Sequence, residues 1–341
     1  MTQNTSPSPL QGGSRRRQYR RRNLRRRRIR ALLAVLLPVA GVAAAWFLLA
    51  DNGGTIGAHV HAPQTPAANA HTPAAAPATP GSPYAVDLQR PDLFPSPFKH
   101  PPRAALVFDV HTGRVLWRRN PLQVLPIASL TKIMTALLVV EHTTPNEQIL
   151  ITPDALHYTG SGVGLLPRGK HVSVKALMYG LLLPSGNDAA IALADKVAHS
   201  QPRFVAMMNA KAQSLGLRCT HYASPHGIET GNRSCAADLA ALARIDLHHS
   251  RIANVVRRAH AVVRFPIKGG KLWLNNTNPL LRMGYPGTIG LKTVDTDAAG
   301  HCFIGIVRRG PLELGVVLLH SPNPQQQARV LLNRAFRMDR P

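Results

Sequence analysis

Pro126-Ile127-Ala128-Ser129-Leu130-Thr131-Lys132-Ile133-Met134 places a hydroxyl and an amine three residues apart at the head of an apolar run. Positions i and i+3 share one face of a helix, so the Ser129 hydroxyl and the Lys132 amine can meet as nucleophile and base. Pro126 suits a helix entry. Ser129 would then fall in the first turn, where unpaired N–H groups and the helix dipole favour developing negative charge. Leu130, Ile133, Met134, Leu137, Leu138 and Val140 make this helix apolar nearly all round, so it should be buried with its polar pair facing a cleft. A chance S-x-x-K on a core helix explains the tetrapeptide alone equally well. The decision therefore rests on partners elsewhere in the chain.

Two further polar stations fit the pair. Leu182-Leu183-Pro184-Ser185-Gly186-Asn187-Asp188 joins two helical patterns, and its Pro and Gly impose a tight loop that presents Ser185 and Asn187. A hydroxyl relays a proton, and an amide can both hold a lysine and donate to a carbonyl, although Ser and Asn also serve as plain helix caps. Gly287-Thr288-Ile289-Gly290-Leu291-Lys292-Thr293 reads as a strand carrying a cation and a hydroxyl suited to a carboxylate, or else as a solvated edge.

Residues 104–110 and 114–118, divided by His111-Thr112-Gly113, read as two strands. Helical patterns occupy the middle of the chain, in the Ser129 run, a segment opened by Ser173, 189–198, 203–215 and 236–247. Strand patterns return at 261–267, 271–274, 302–308 and 312–319, the last two as a hairpin about Arg309-Gly310-Pro311, before a final helix over 324–338. Strands from both ends with helices between imply a mixed α/β (α+β) domain whose antiparallel sheet is closed by early and late segments.

The three stations resemble the S-x-x-K, S-x-N and K-T-G elements of penicillin-recognising serine enzymes, and among these the low-molecular-weight penicillin-binding proteins, the D-alanyl-D-alanine carboxypeptidases. The flanking text agrees, at Val107-Phe108-Asp109, Ser224-Pro225-His226-Gly227, Asn276-Thr277-Asn278-Pro279-Leu280-Leu281 and Ala299-Gly300-His301-Cys302. The resemblance runs from about residue 103 to 341. It implies the penicillin-binding protein/β-lactamase-like fold, an antiparallel sheet flanked by helices with a mainly helical subdomain. It also implies that Ser129 attacks the carbonyl between two D-alanines, with Lys132 as its base and Ser185 passing a proton to the leaving amine. Asn187 would orient Lys132 and the acyl amide, Lys292 and Thr293 would hold the terminal carboxylate, and the N–H groups of Ser129 and Asp295 would bind the oxyanion. Peptidoglycan stem peptides are the implied substrate and β-lactams the covalent inhibitors, with no cofactor, metal or nucleic acid. Action on peptide cross-links is a close alternative.

The chain departs from the family pattern at Val294, which stands where K-T-G has glycine. Valine there is expected to weaken activity by crowding the acyl pocket or the helix behind it, and a non-catalytic wall-binding protein is the rival. A class A β-lactamase needs an E-x-x-x-N loop, but the only Glu between Asn187 and Lys292 is Glu229, followed by Thr-Gly-Asn-Arg.

The termini are read from charge. Eleven arginines lie between Arg15 and Arg30; the rest of the 341 residues holds 30 basic against 16 acidic side chains, a balance suited to an anionic neighbourhood. Residues 31–50 carry no charge and make about 30 Å of helix at 1.5 Å per residue, enough to cross a bilayer. The arginines precede this span and no Lys or Arg follows until Arg90, so residues 1–30 are expected in the cytoplasm and the catalytic domain beyond the inner membrane, as a single-pass periplasmic-side protein. A cleaved signal ending near Ala43-Ala44-Ala45 is the alternative. Residues 51–102, rich in Pro and Ala, read as a tether to a domain over 103–341. The three cysteines show no metal spacing, and the compartment permits a Cys219–Cys235 disulfide beside the Pro225-His226-Gly227 turn, with Cys302 free.

Overall fold

A computed structural model describes residues 82–339; the expected basic tail and membrane span, and most of the expected tether, lie outside the described residues. In chain order the strands are β1 (Ala104–Asp109), β2 (Val115–Arg119), β3 (Leu125–Pro126), β4 (Gln148–Leu150), β5 (His171–Ser173), β6 (Arg233–Ser234), β7 (His260–Arg264), β8 (Lys271–Asn275), β9 (Thr288–Thr296), β10 (Gly300–Arg309) and β11 (Leu312–Leu319). The helices are α1 (Lys132–His142), α2 (Pro153–Leu156), α3 (Val174–Leu182), α4 (Asn187–Ala198), α5 (Gln201–Ser214), α6 (Ala236–His248), α7 (Ser250–Val256), α8 (Pro279–Arg282) and α9 (Pro324–Met338).

The central sheet has the order β2-β1-β11-β10-β9, all its pairs antiparallel. Strands from the two ends of the domain therefore meet at its middle, as the sequence pattern implied. Both faces are covered, which is why β1 and β11 read as continuous apolar runs rather than alternating ones. Leu106, Phe108, Ile304, Val317 and Leu319 face the helices α1, α3, α4 and α6 in one large apolar cluster. Ala105, Val107, Phe303, Val316 and Leu318 face α9, which contributes Ala328, Leu331, Leu332, Ala335 and Phe336. Each of the buried Leu, Ile, Val and Phe side chains contributes about 1.5–3 kcal/mol relative to leaving it in water.

Part of the stretch read as tether lies on the domain. Asp87 N donates to Gly113 O at 2.9 Å and Leu93 N to Leu116 O at 2.8 Å, and the Phe94 ring stacks on Trp117 with centroids 6.3 Å apart. Arg244 gathers the carbonyls of Ala85, Val110 and His111 at 2.7–2.9 Å and so ties this segment to α6. Among the described residues no helix is long and apolar enough to cross a membrane.

Candidate active site

The entry to the S-x-x-K turn differs from the expectation. Pro126 does not open a helix; it ends β3, which pairs with β6 through Leu125↔Ser234 and Pro126↔Arg233. Ile127 N then donates to Asn232 O at 3.1 Å, and Ala128 takes a left-handed backbone (φ 42°) that breaks any helix upstream. Ser129 therefore sits in a short 3-10 turn, Ala128–Thr131, and α1 begins only at Lys132. Across the cleft floor, Gly227 (φ 91°) lies so close that a Cβ would overlap the Ala128 carbonyl. Glycine is required there both for the positive φ and for the approach.

Lys132 is fully buried, and its Nζ lies 2.9 Å from Ser129 Oγ, 2.7 Å from Asn187 Oδ1 and 2.7 Å from His226 O. Burial holds its pKa well below the usual lysine value, and the nearby Lys292 pushes in the same direction while Asp188 opposes. A neutral amine has two N–H groups and one lone pair. Asn187 Oδ1 and the His226 carbonyl accept only, so they take the two N–H groups and the lone pair is left for the Ser129 O–H. The half-buried Ser129 hydroxyl thus lies within hydrogen-bond reach of this amine.

Asn187 opens α4 and is itself held, its Nδ2 donating to Thr159 O at 2.5 Å and its N to Ser161 O at 2.8 Å. Asp188 accepts from Val163 N at 2.8 Å and Gly164 N at 3.0 Å, fixing the same loop. Ser185 has a left-handed backbone (φ 70°), a strained state for serine, and its buried Oγ has no partner. Strain and a missing partner set this hydroxyl, between α3 and α4, apart from an ordinary helix cap.

Lys292 lies on β9 at the sheet edge, which packs against the turn bearing Ser129. The expected cation is there, but not on a solvated edge: Lys292 is 1% exposed, its Nζ donates to Thr293 O at 3.0 Å, and burial lowers its pKa to about 7. Thr293 Oγ1 is half-buried, 3.4 Å from Cys302 O. The Asp295 carboxylate is turned out to solvent and paired with His301 Nδ1 at 3.0 Å. Val294 faces the same side as Lys292, since their cross-strand neighbours Cys302 and Ile304 share one cluster, and that cluster absorbs the valine side chain.

Sequence reading assigned no role to His226, to Thr159 or to Asn232. His226 acts through its carbonyl, which leaves no side-chain signature. Asn232 accepts from Ala223 N and Ser224 N and donates to Ser224 Oγ and Glu229 O, which shapes the loop that delivers it. Thr135 Oγ1 pins Pro225 O at 2.6 Å. The base of this loop is closed by a Cys219–Cys235 disulfide (Cα–Cα 5.5 Å), while Cys302 is free and buried. Among the described residues, Asp238 is the one other metal-ligating group gathered there, and with both sulfurs bonded to each other neither offers a thiolate.

Fold and site together define the penicillin-recognising serine peptidase class. The chain belongs to the D-alanyl-D-alanine carboxypeptidase family of S11 peptidases, whose model matches residues 93–323. It is 32% identical over 250 residues to the D-alanyl-D-alanine carboxypeptidase DacF of Bacillus subtilis, covering 71% of this chain and 64% of that protein. A D-alanyl-D-alanine endopeptidase of Pseudomonas aeruginosa is 34% identical over 219 residues, covering 63% and 70%. The crystal structure of a D-alanyl-D-alanine carboxypeptidase from Mycobacterium tuberculosis superposes with a TM-score of 0.67 at 31% identity, covering 72% of this chain and 94% of that one. The match thus spans slightly less than two thirds of the length of DacF.

Proposed function

We propose that this protein is a D,D-carboxypeptidase that removes the terminal D-alanine from peptidoglycan stem peptides through a Ser129 acyl-enzyme. The observation that carries this reading is the three-point seat of Lys132 Nζ on Ser129 Oγ, Asn187 Oδ1 and His226 O. Lys132 takes the Ser129 proton as Oγ adds to the carbonyl between the two D-alanines. The oxyanion is held by the N–H groups of Ser129 and Asp295. The C–N bond then breaks, Ser185 passes a proton to the leaving amine, and water resolves the ester. Lys292 and Thr293 hold the substrate carboxylate, which Lys292 meets as a cation once it binds a proton.

The same reading places residues 31–50 as a membrane anchor with the catalytic domain outside the cytoplasm, supported by the charge-free span and the arginines before it. Cleavage of cross-links is a second reading, favoured by the likeness to the D-alanyl-D-alanine endopeptidase of Pseudomonas aeruginosa. Incubation with a pentapeptide muropeptide and with a cross-linked dimer, followed by mass analysis, separates them. Loss of one alanine from the pentapeptide is expected. A cleaved dimer beside an intact pentapeptide would make the protein an endopeptidase, and no change in either would make it a binding protein.

A further inference from the structure

The hairpin β7–β8 has an inner face that the active-site chemistry leaves unused and an outer face whose residues are exposed. Its inward residues Ala261, Val263, Phe265, Leu272 and Leu274 join the large core cluster. Its outward residues pair across the strands as Val262↔Trp273 and Arg264↔Lys271. Trp273 is 72% exposed, the most exposed large apolar side chain of the described residues. One exposed aromatic alone marks nothing; an indole flanked by cationic side chains offers a partner both a flat apolar ring and charge.

Two further observations say what kind of partner fits. Between Asp246 and Asp295 the sequence has no acidic residue, and Arg257, Arg258, Arg264, Lys268 and Lys271 are exposed on or beside the hairpin. The surface is therefore built for an anion. The root of the hairpin also touches segments next to two of the site's residues. Asn276 Nδ2 donates to Val256 O and Arg258 O at 3.1 and 2.9 Å, and Val256 abuts Gly290, two residues before Lys292. Thr277 N and Oγ1 both donate to Leu183 O at 3.2 Å, two residues before Ser185. Trp273 is three residues out from that root, about 10 Å of strand.

We propose that this outer face is a second binding surface for the polymer that carries the scissile peptide: Trp273 stacks on a sugar ring of the glycan strand while Arg264 and Lys271 pair with carboxylates of neighbouring stem peptides. The assignment rests on peptidoglycan being the substrate. A lipid surface fits less well, because the apolar part is one ring and one valine rather than a broad face, and a simple polyanion would have no use for the indole.

The test uses full-length protein in detergent, with Trp273→Ala and the double variant Arg264→Ala/Lys271→Ala. Turnover is measured on insoluble pentapeptide-rich peptidoglycan and on soluble pentapeptide, and co-sedimentation of the penicillin-blocked proteins with the polymer is measured separately. The ratio of polymer to soluble turnover should fall about tenfold in Trp273→Ala and in the double variant, with weaker co-sedimentation of both. An unchanged ratio would overturn the proposal, as would an equal loss on both substrates. If the parent hydrolyses neither substrate the carboxypeptidase reading fails by itself, and equal co-sedimentation of parent and variants would still dismiss the surface. Loss of binding to phosphatidylglycerol vesicles with polymer binding intact would reassign the face to lipid.

Discussion

Two lysines share one buried neighbourhood, and each is unlike a lysine in water. Lys292 falls from 10.5 to about 7 through burial. Between those values the unfolded chain binds a proton that the folded one does not, so stability should rise with pH from about 7 towards 10 and be lost as pH falls through 7. Urea midpoints taken at pH 7 and pH 9 should show that rise, and Lys292→Met should reduce it; part should remain, because Lys132 is shifted in the same direction. A slope unchanged by the substitution would mean that Lys292 is charged in the folded enzyme at pH 9. Val294 is the other residue to weigh. With its side chain taken up by the core beside Cys302, valine is a packing residue, and the expected crowding of the acyl pocket loses its basis. Val294→Gly should then destabilise the fold by about 2–4 kcal/mol, from lost burial and added chain entropy. Its penicillin acylation rate, measured at a temperature where it is folded, should stay within about threefold of the parent, since no oxyanion donor is lost. A large acceleration would return valine to the pocket.

At the scale of elements, the site is a meeting of one turn, two loops and one strand edge. The turn bearing Ser129 is fixed from behind by the β3–β6 ladder and from the side by Gly227. Gly227→Ala should displace the Ala128 carbonyl and with it the Ser129 N–H and the His226 carbonyl seat of Lys132. Penicillin acylation should fall by roughly a hundredfold, the scale of one lost oxyanion donor. Acylation at the parental rate would show that the turn tolerates a shift. Long periodic elements such as α1, α6 and α9 were legible in the sequence, as were β10 and β11, because their apolar spacing is local. The form of the Ser129 turn was not: Pro126 is as suitable at a helix start as at a strand end, and what decides is pairing with Arg233, more than a hundred residues away. Backbone acceptors such as Thr159 O and His226 O escaped for the same reason, since any residue type supplies a carbonyl.

Across the whole molecule, the order S-x-x-K, S-x-N, K-T-V was enough to bring together residues that are 163 positions apart, Ser129 and Lys292, because the sheet closes between chain ends. The start of the folded domain was less legible. The Pro-rich run conceals Tyr84 and Phe94, which meet His248 and Trp117 only after folding. The basic balance outside the arginine block is explained in part by the acid-free stretch between Asp246 and Asp295, which runs from α6 through the β7–β8 hairpin to β9. The proposed chemistry requires Ser129 to be the residue that becomes acylated. Full-length protein treated with a fluorescent penicillin, digested and mapped by mass spectrometry, should carry one adduct, on the peptide containing Ser129, and Ser129→Ala should carry none. An adduct on any other residue, or undiminished labelling of the alanine variant, would contradict it.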